Sequence, residues 1–77
     1  MPATNPNRAD AEALFFEGNR CMKAGDDKRA EECFRNAVRI APEIAQGHAN
    51  LGLLLDKRGM VEEAEICYRH SIELDST

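Results

Sequence analysis

Apolar residues along the chain fall at helical spacing in four separate stretches. Leu14, Gly18 and Cys21 stand at i, i+4 and i+7, and Ile44, His48, Leu51, Gly52 and Leu55 extend the same stripe over a later stretch. Two further stripes run through Ala30, Cys33, Phe34, Ala37 and Val38 and through Ala64, Cys67, Tyr68, Ser71 and Ile72. The breaks between them carry helix-ending residues. Gly25 and Gly59 can take the left-handed conformation that closes a helix, and Pro42 stops one helix and suits the first turn of the next. Asp26 or Asp27 is placed to cap the helix after Gly25 by accepting from its free N–H groups, whereas Met60 cannot, so the last helix should start more weakly. Thr4, Asn7 or Asp10 could cap the first helix. The pattern predicts four antiparallel helices, over residues 8–24, 28–41, 43–58 and 61–75, joined by short turns.

Displacing the chain against itself by 34 residues gives identities at Ala11/Ala45, Gly18/Gly52, Lys23/Lys57, Gly25/Gly59, Ala30/Ala64, Glu31/Glu65, Cys33/Cys67 and Arg35/Arg69. Between them Phe34 falls on Tyr68, Val38 on Ile72 and Ile40 on Leu74, so size recurs where identity fails. An internal period of this length marks a repeat architecture, in which each unit is one supersecondary element that buries its face against a neighbour. The expected organisation is a flexible N-terminal segment over 1–7 and an all-α domain over 8–77, with unit one at 11–44 and unit two at 45–77. Small residues at Gly18, Gly52, Ala30 and Ala64 should let the helices of each hairpin approach closely, with Phe34 and Tyr68 filling the gap.

These units resemble the tetratricopeptide repeat, whose pattern W-x2-L-G-x2-Y…A-x3-F…P has a 34-residue period. In the first unit Leu14 stands at the Trp, Gly18 at the Gly, Cys21 at the Tyr, Ala30 at the Ala, Phe34 at the Phe and Pro42 at the Pro, with Glu17 departing at the Leu. In the second, Leu51 and Gly52 match the Leu-Gly pair, Leu55 the Tyr, and Ala64 and Tyr68 the Ala-x3-Phe, while His48 and Ser76 depart at the Trp and Pro. The resemblance implies two helix-turn-helix repeats forming a short right-handed α-solenoid.

Composition narrows the function. Lys and Arg number 10 against 14 Asp and Glu, a net charge of −4, with the signs interleaved and no basic stripe for a nucleic-acid backbone. The longest apolar run, Leu53 to Leu55, is far short of a membrane span, and residues 1–7 are too polar for a secretory signal, so a cytoplasmic location is expected. Cys21, Cys33 and Cys67 are odd in number and lie on the apolar stripes, which favours reduced, packed thiols. Neither their spacing nor His48 and His70 offers a zinc site, and no metal or cofactor is expected. Glu62, Glu63 and Glu65 suit the start of the last helix, where carboxylates favour the helix dipole. No nucleophile stands beside a base and no glycine-rich phosphate loop occurs, so the chain is not expected to be an enzyme.

The resemblance implies a concave face, lined by the first helix of each unit, that binds peptides or partner helices. The residues one place off the core stripe are Phe15, Asn19, Met22 and Lys23 in unit one, and Ala49, Leu53, Asp56 and Lys57 in unit two; Asn50 lies beside them. Asn19 and Asn50 match two positions at which some such domains hold a C-terminal carboxylate, but Phe15 stands where a basic residue is expected. An exposed Phe15, Met22 and Leu53 would form an apolar patch of the kind that marks an interface. At the far edge Leu54, Ile66, Ile72 and Leu74 are expected to seek cover from a further unit or from a second chain in a homodimer. The leading expectation is a noncatalytic protein-interaction scaffold. The alternatives are a self-assembling structural fragment and a substrate-recruiting part of a larger enzyme.

Overall fold

The computed structural model describes residues 8–75 and consists of four helices: α1 (Arg8–Lys23), α2 (Asp27–Ile40), α3 (Ala45–Lys57) and α4 (Val61–Asp75). α1 pairs with α2, α3 with α4, and the two hairpins join where α2 packs on α3. Side-chain bonds also run from first helix to first helix, Asn19 to Asn50, and from second to second, Arg35 to Glu63. The hairpins therefore stand side by side in the same sense, as an all-α solenoid requires.

Both hairpins turn in the same way. Gly25 and Gly59 have φ of 84° and 81°, the left-handed region that only glycine occupies at little cost. Around each, a Schellman motif closes the preceding helix: the Asp26 N–H donates to the Cys21 carbonyl at 2.8 Å, and the Met60 N–H to that of Leu55 at 2.9 Å. The next helices begin differently. Asp26 is the N-cap of α2 and its carboxylate accepts from the Arg29 N–H at 3.3 Å. At the matching place Met60 has only its backbone carbonyl to offer, which accepts from the Ala64 N–H at 3.0 Å.

Two expectations at helix ends need correction. α3 starts at Ala45, with Ile44 as N-cap, so Pro42 sits in the connecting turn and not in the first turn of the helix. The turn is held by its own bonds, Ile44 N–H to the Ala41 carbonyl at 3.2 Å and the ring Nε2 of His48 to the Pro42 carbonyl at 2.9 Å. A carbonyl only accepts, so Nε2 of His48 carries the proton. Asp10 lies inside α1, where it favours the dipole of the first turn instead of capping; Thr4 and Asn7 lie outside the described residues, as does the proposed segment over 1–7.

The core explains the glycines of the repeat. A Cβ on Gly18 would lie 2.7 Å from the ring of Phe34, and one on Gly52 would lie 3.0 Å from the ring of Tyr68. Each hairpin thus seats an aromatic ring directly on the backbone of its first helix. Phe34, Leu54 and Leu55 are the largest fully buried side chains, joined by Leu51, Ala30, Ala64 and the thiols of Cys21 and Cys67. Leu54 was expected at the open edge and is instead in this core. Of three consecutive leucines on a helix turning 100° per residue, only two can face the hairpin interface, and Leu53 is the one turned outward.

Charged side chains bridge the join between hairpins. The Glu31 carboxylate, almost entirely buried, accepts from Arg35 at 3.0 Å on its own helix and from Arg58, which caps α3, at 2.6 Å. Arg35 reaches on to Glu63 of α4 at 2.8 Å, and Lys57 pairs with Asp27 at 2.9 Å. Burial alone would raise the Glu31 carboxyl, but the hydrogen bonds and charges of Arg58 and Arg35 outweigh it and hold its pKa below the ordinary glutamate value.

Two outcomes follow from these contacts. Gly18→Ala gains helix propensity of about 1 kcal/mol, yet it must displace a fully buried ring, an overpacking cost of about 1–3 kcal/mol. A net fall in the urea midpoint is expected, larger than for Gly52→Ala, whose neighbour Tyr68 is only half-buried. For Glu31 the folded pKa is lowered, so its contribution is fully present at neutral pH and is lost as pH falls below about 4.5. Denaturation across pH 7 to 3 should show Glu31→Gln less stable than wild type at pH 7, with the gap closing in acid.

Candidate binding groove

On α1, Phe15, Asn19, Met22 and Lys23 share one face at i, i+4, i+7 and i+8; on α3, Asn50, Leu53 and Lys57 share another at i, i+3 and i+7. The Nδ2 group of Asn50 donates to Oδ1 of Asn19 at 3.1 Å, which sets the two faces beside one another. Both amides are half-buried. A bond between them satisfies one donor and one acceptor and leaves the remaining amide groups to solvent or a ligand.

The other groove residues are less free than their spacing suggests. Phe15 and Met22 were expected to face water, but both are half-buried and pack against the core. The ring of Phe15 lies 5.9 Å from that of Phe34, tilted by 58°. This burial has the same origin as the hairpin itself: Gly18 admits the Phe34 ring so far that it reaches beneath Phe15. Lys57 is tethered to Asp27, so its charge is directed to the start of α2. Leu53, 46% exposed, and Lys23 are the stripe residues that stand clear of the core.

Exposed apolar surface concentrates elsewhere. Phe16 is 65% exposed beside Phe15, and nothing in the apolar stripe singles it out, because it lies opposite the core face of α1, beyond the groove face. Its repeat mate is Asn50, the residue that contacts the preceding hairpin, and that correspondence is the signal that places Phe16 on the outer side of α1. On α4, Ile66, Ile72 and Leu74 are exposed, as expected of an edge, and Val61 and Met60 extend the apolar surface towards the turn.

The remaining candidate chemistry is packed away. Burial raises the Cys33 thiol, helped by Cys21 and Glu17 beside it, and burial raises Cys67, helped by Glu63. A protonated, buried thiol is a poor nucleophile. The rings of His48 and His70 meet edge to face at 5.2 Å, with His48 buried and His70 exposed. No group of three or more His, Cys, Asp or Glu among the described residues is placed to hold a metal ion, and none of the described helices is long and apolar enough to cross a membrane.

Comparison with known families gives two adjacent matches, both to models of the tetratricopeptide repeat, one over residues 11–44 and the other over 45–77. No curated protein matches the chain. Repeats of this kind are generally noncatalytic protein-interaction modules.

The thiol environment predicts a chemical behaviour. In the folded chain at pH 7.5, iodoacetamide should modify Cys33 and Cys67 at least about tenfold more slowly than in urea, where the thiolate fraction and access return to those of a free thiol. Mass spectrometry of tryptic peptides reads the rate at each site.

Proposed function

We propose, for a chain that belongs to the tetratricopeptide repeat family, that it is an interaction module that holds a peptide or partner helix along the groove between α1 and α3. The observation that carries this reading is the bond between Asn19 and Asn50, which aligns two helix faces into one surface. Asn19 and Asn50 supply hydrogen bonds to the ligand backbone, Leu53 supplies an exposed apolar anchor, and the half-buried Phe15 and Met22 form a firm floor. Lys23 lies at the rim. The acidic balance of the chain, 14 acidic against 10 basic residues, favours ligands that are neutral or basic overall.

The floor residues are unsuitable as probes, because replacing Phe15 removes a core contact as well as a groove contact. The test therefore uses Leu53→Asp and Asn50→Ala. Peptides selected from a random display library against the immobilised full chain are titrated into labelled protein and followed by NMR. Shifts centred on Asn19, Asn50 and Leu53 are expected, with Leu53→Asp weakening binding at least tenfold, or about 1.4 kcal/mol. Shifts confined to α4, or unchanged affinity in a folded Leu53→Asp variant, overturn the groove assignment.

A further inference from the structure

The second hairpin holds a pair of histidines that its packing does not call for. His48 of α3 and His70 of α4 bring their ring centres to 5.2 Å. One repeat earlier the same two places carry Leu14 and Asn36, so a hairpin of this chain closes there without an imidazole. The two histidines are distant in the chain, and the pairing of α3 with α4 brings them together.

His48 is organised as a metal ligand would be. It is buried and fixed, because its Nε2–H donates to the Pro42 carbonyl at 2.9 Å, which leaves the lone pair on Nδ1. A histidine that holds a metal through one ring nitrogen usually donates the other N–H to a carboxylate, a backbone carbonyl or water, which sets the tautomer and aims the ring. No fully buried side-chain nitrogen or oxygen among the described residues lacks a hydrogen-bond partner, and the bond of His48 is made at Nε2, so Nδ1 reaches the surface. The surface it reaches is a cleft that His48 shares with His70, Pro42, Leu74 and Glu73. Pro42 and Leu74 supply apolar walls, and Glu73 adds a carboxylate, which favours a cation there.

We propose that His48 and His70 bind a divalent late first-row transition-metal ion, such as Zn(II) or Ni(II), through Nδ1 of His48 and one ring nitrogen of His70, with water completing the coordination. Imidazole nitrogen suits these ions, whereas Mg(II) and Ca(II) prefer oxygen ligands. The separation of the rings fits. With metal–nitrogen bonds of about 2.1 Å, two imidazoles on one tetrahedral ion have ring centres about 5 Å apart. The rings meet edge to face at 81°, so one of them turns before both lone pairs converge on one point. His70, being exposed, is the member that turns, while His48 is held by its bond to Pro42. An ion in this place ties α3 to α4 and stabilises the second hairpin, since it binds the folded pair and not two separated residues. The competing reading, a ring contact that only packs, predicts no affinity for any ion.

The test uses the untagged full chain with its thiols reduced. ZnCl2 and NiCl2 are titrated by calorimetry, and ZnCl2 is followed by NMR of the histidine ring nitrogens. Saturable binding of one ion per chain is expected, with both rings perturbed, the Nε2 proton of His48 retained and Tm raised by excess Zn(II). His70→Ala, at an exposed position, should weaken binding at least about tenfold, since loss of a ligand costs no less than loss of an outer hydrogen-bond partner, with the helical circular dichroism unchanged. His48→Gln should weaken it comparably while still offering an amide donor to the Pro42 carbonyl. Excess MgCl2 should not compete. Absence of binding, affinity unaltered by His70→Ala, or displacement of Zn(II) by Mg(II) overturns the proposal. So does a Co(II) complex whose absorption shows a thiolate charge-transfer band, since the ion would then sit on the cysteines.

Discussion

Everything in this molecule depends on two places where a helix has no side chain. At Gly18 and Gly52 an aromatic ring from the second helix of each hairpin rests against bare backbone, so close that a methyl group would clash with Phe34 and crowd Tyr68. That contact sets the spacing of the helices and buries Phe34 completely. It also carries the ring far enough across to support Phe15 from below. Core and proposed groove floor are therefore one packed unit, and the stiffness of that face comes from a residue on the opposite helix.

The two levels of the fold use different physics. Within a hairpin the contacts are apolar and close, a matter of shape. Between hairpins Val38 of α2 packs against the apolar core and beside Gly47 of α3, but the register is set by a chain of alternating charges from Arg58 through Glu31 and Arg35 to Glu63. Ion pairs with half-exposed partners add little stability. They do discriminate strongly against misplacement, because a shift of one helical turn would set like charges together. Hydrophobic burial makes the hairpins adhere, and the charges decide where.

Much of this was legible in the sequence, and the limits have physical causes. The four helices, the glycine turns and the small-against-large packing all follow from local geometry repeated at one offset. Asp26 was readable as a cap because its chemistry is local. What escaped depends on neighbours distant in the chain. Leu53 and Leu54 are the same residue type one step apart, and only the position of α2 decides which is buried. Phe15 looked exposed because its helix alone does not show how far Phe34 reaches. Pro42 was expected in a first helical turn because it has no N–H to waste there, but short-range bonds from Ile44 to Ala41 and from His48 to Pro42 hold it in the connection. For the proposed groove, spacing singled out Asn19 and the family resemblance Asn50, which the structure joins by a hydrogen bond, while the tethering of Lys57 by Asp27 had no local signature.

The amide pair in the groove has a symmetry that a charged pair would lack. Turning both side chains over exchanges the carbamoyl oxygen and nitrogen of each while keeping one hydrogen bond between them. The spare donor then moves from one helix to the other, and the spare acceptor moves the opposite way. A bound main chain presents N–H and C=O in an order that depends on which way it runs. In the proposed binding mode, a surface able to invert its own polarity at no cost in internal bonding accommodates either direction, leaving the choice to side chains such as Leu53 and Lys23.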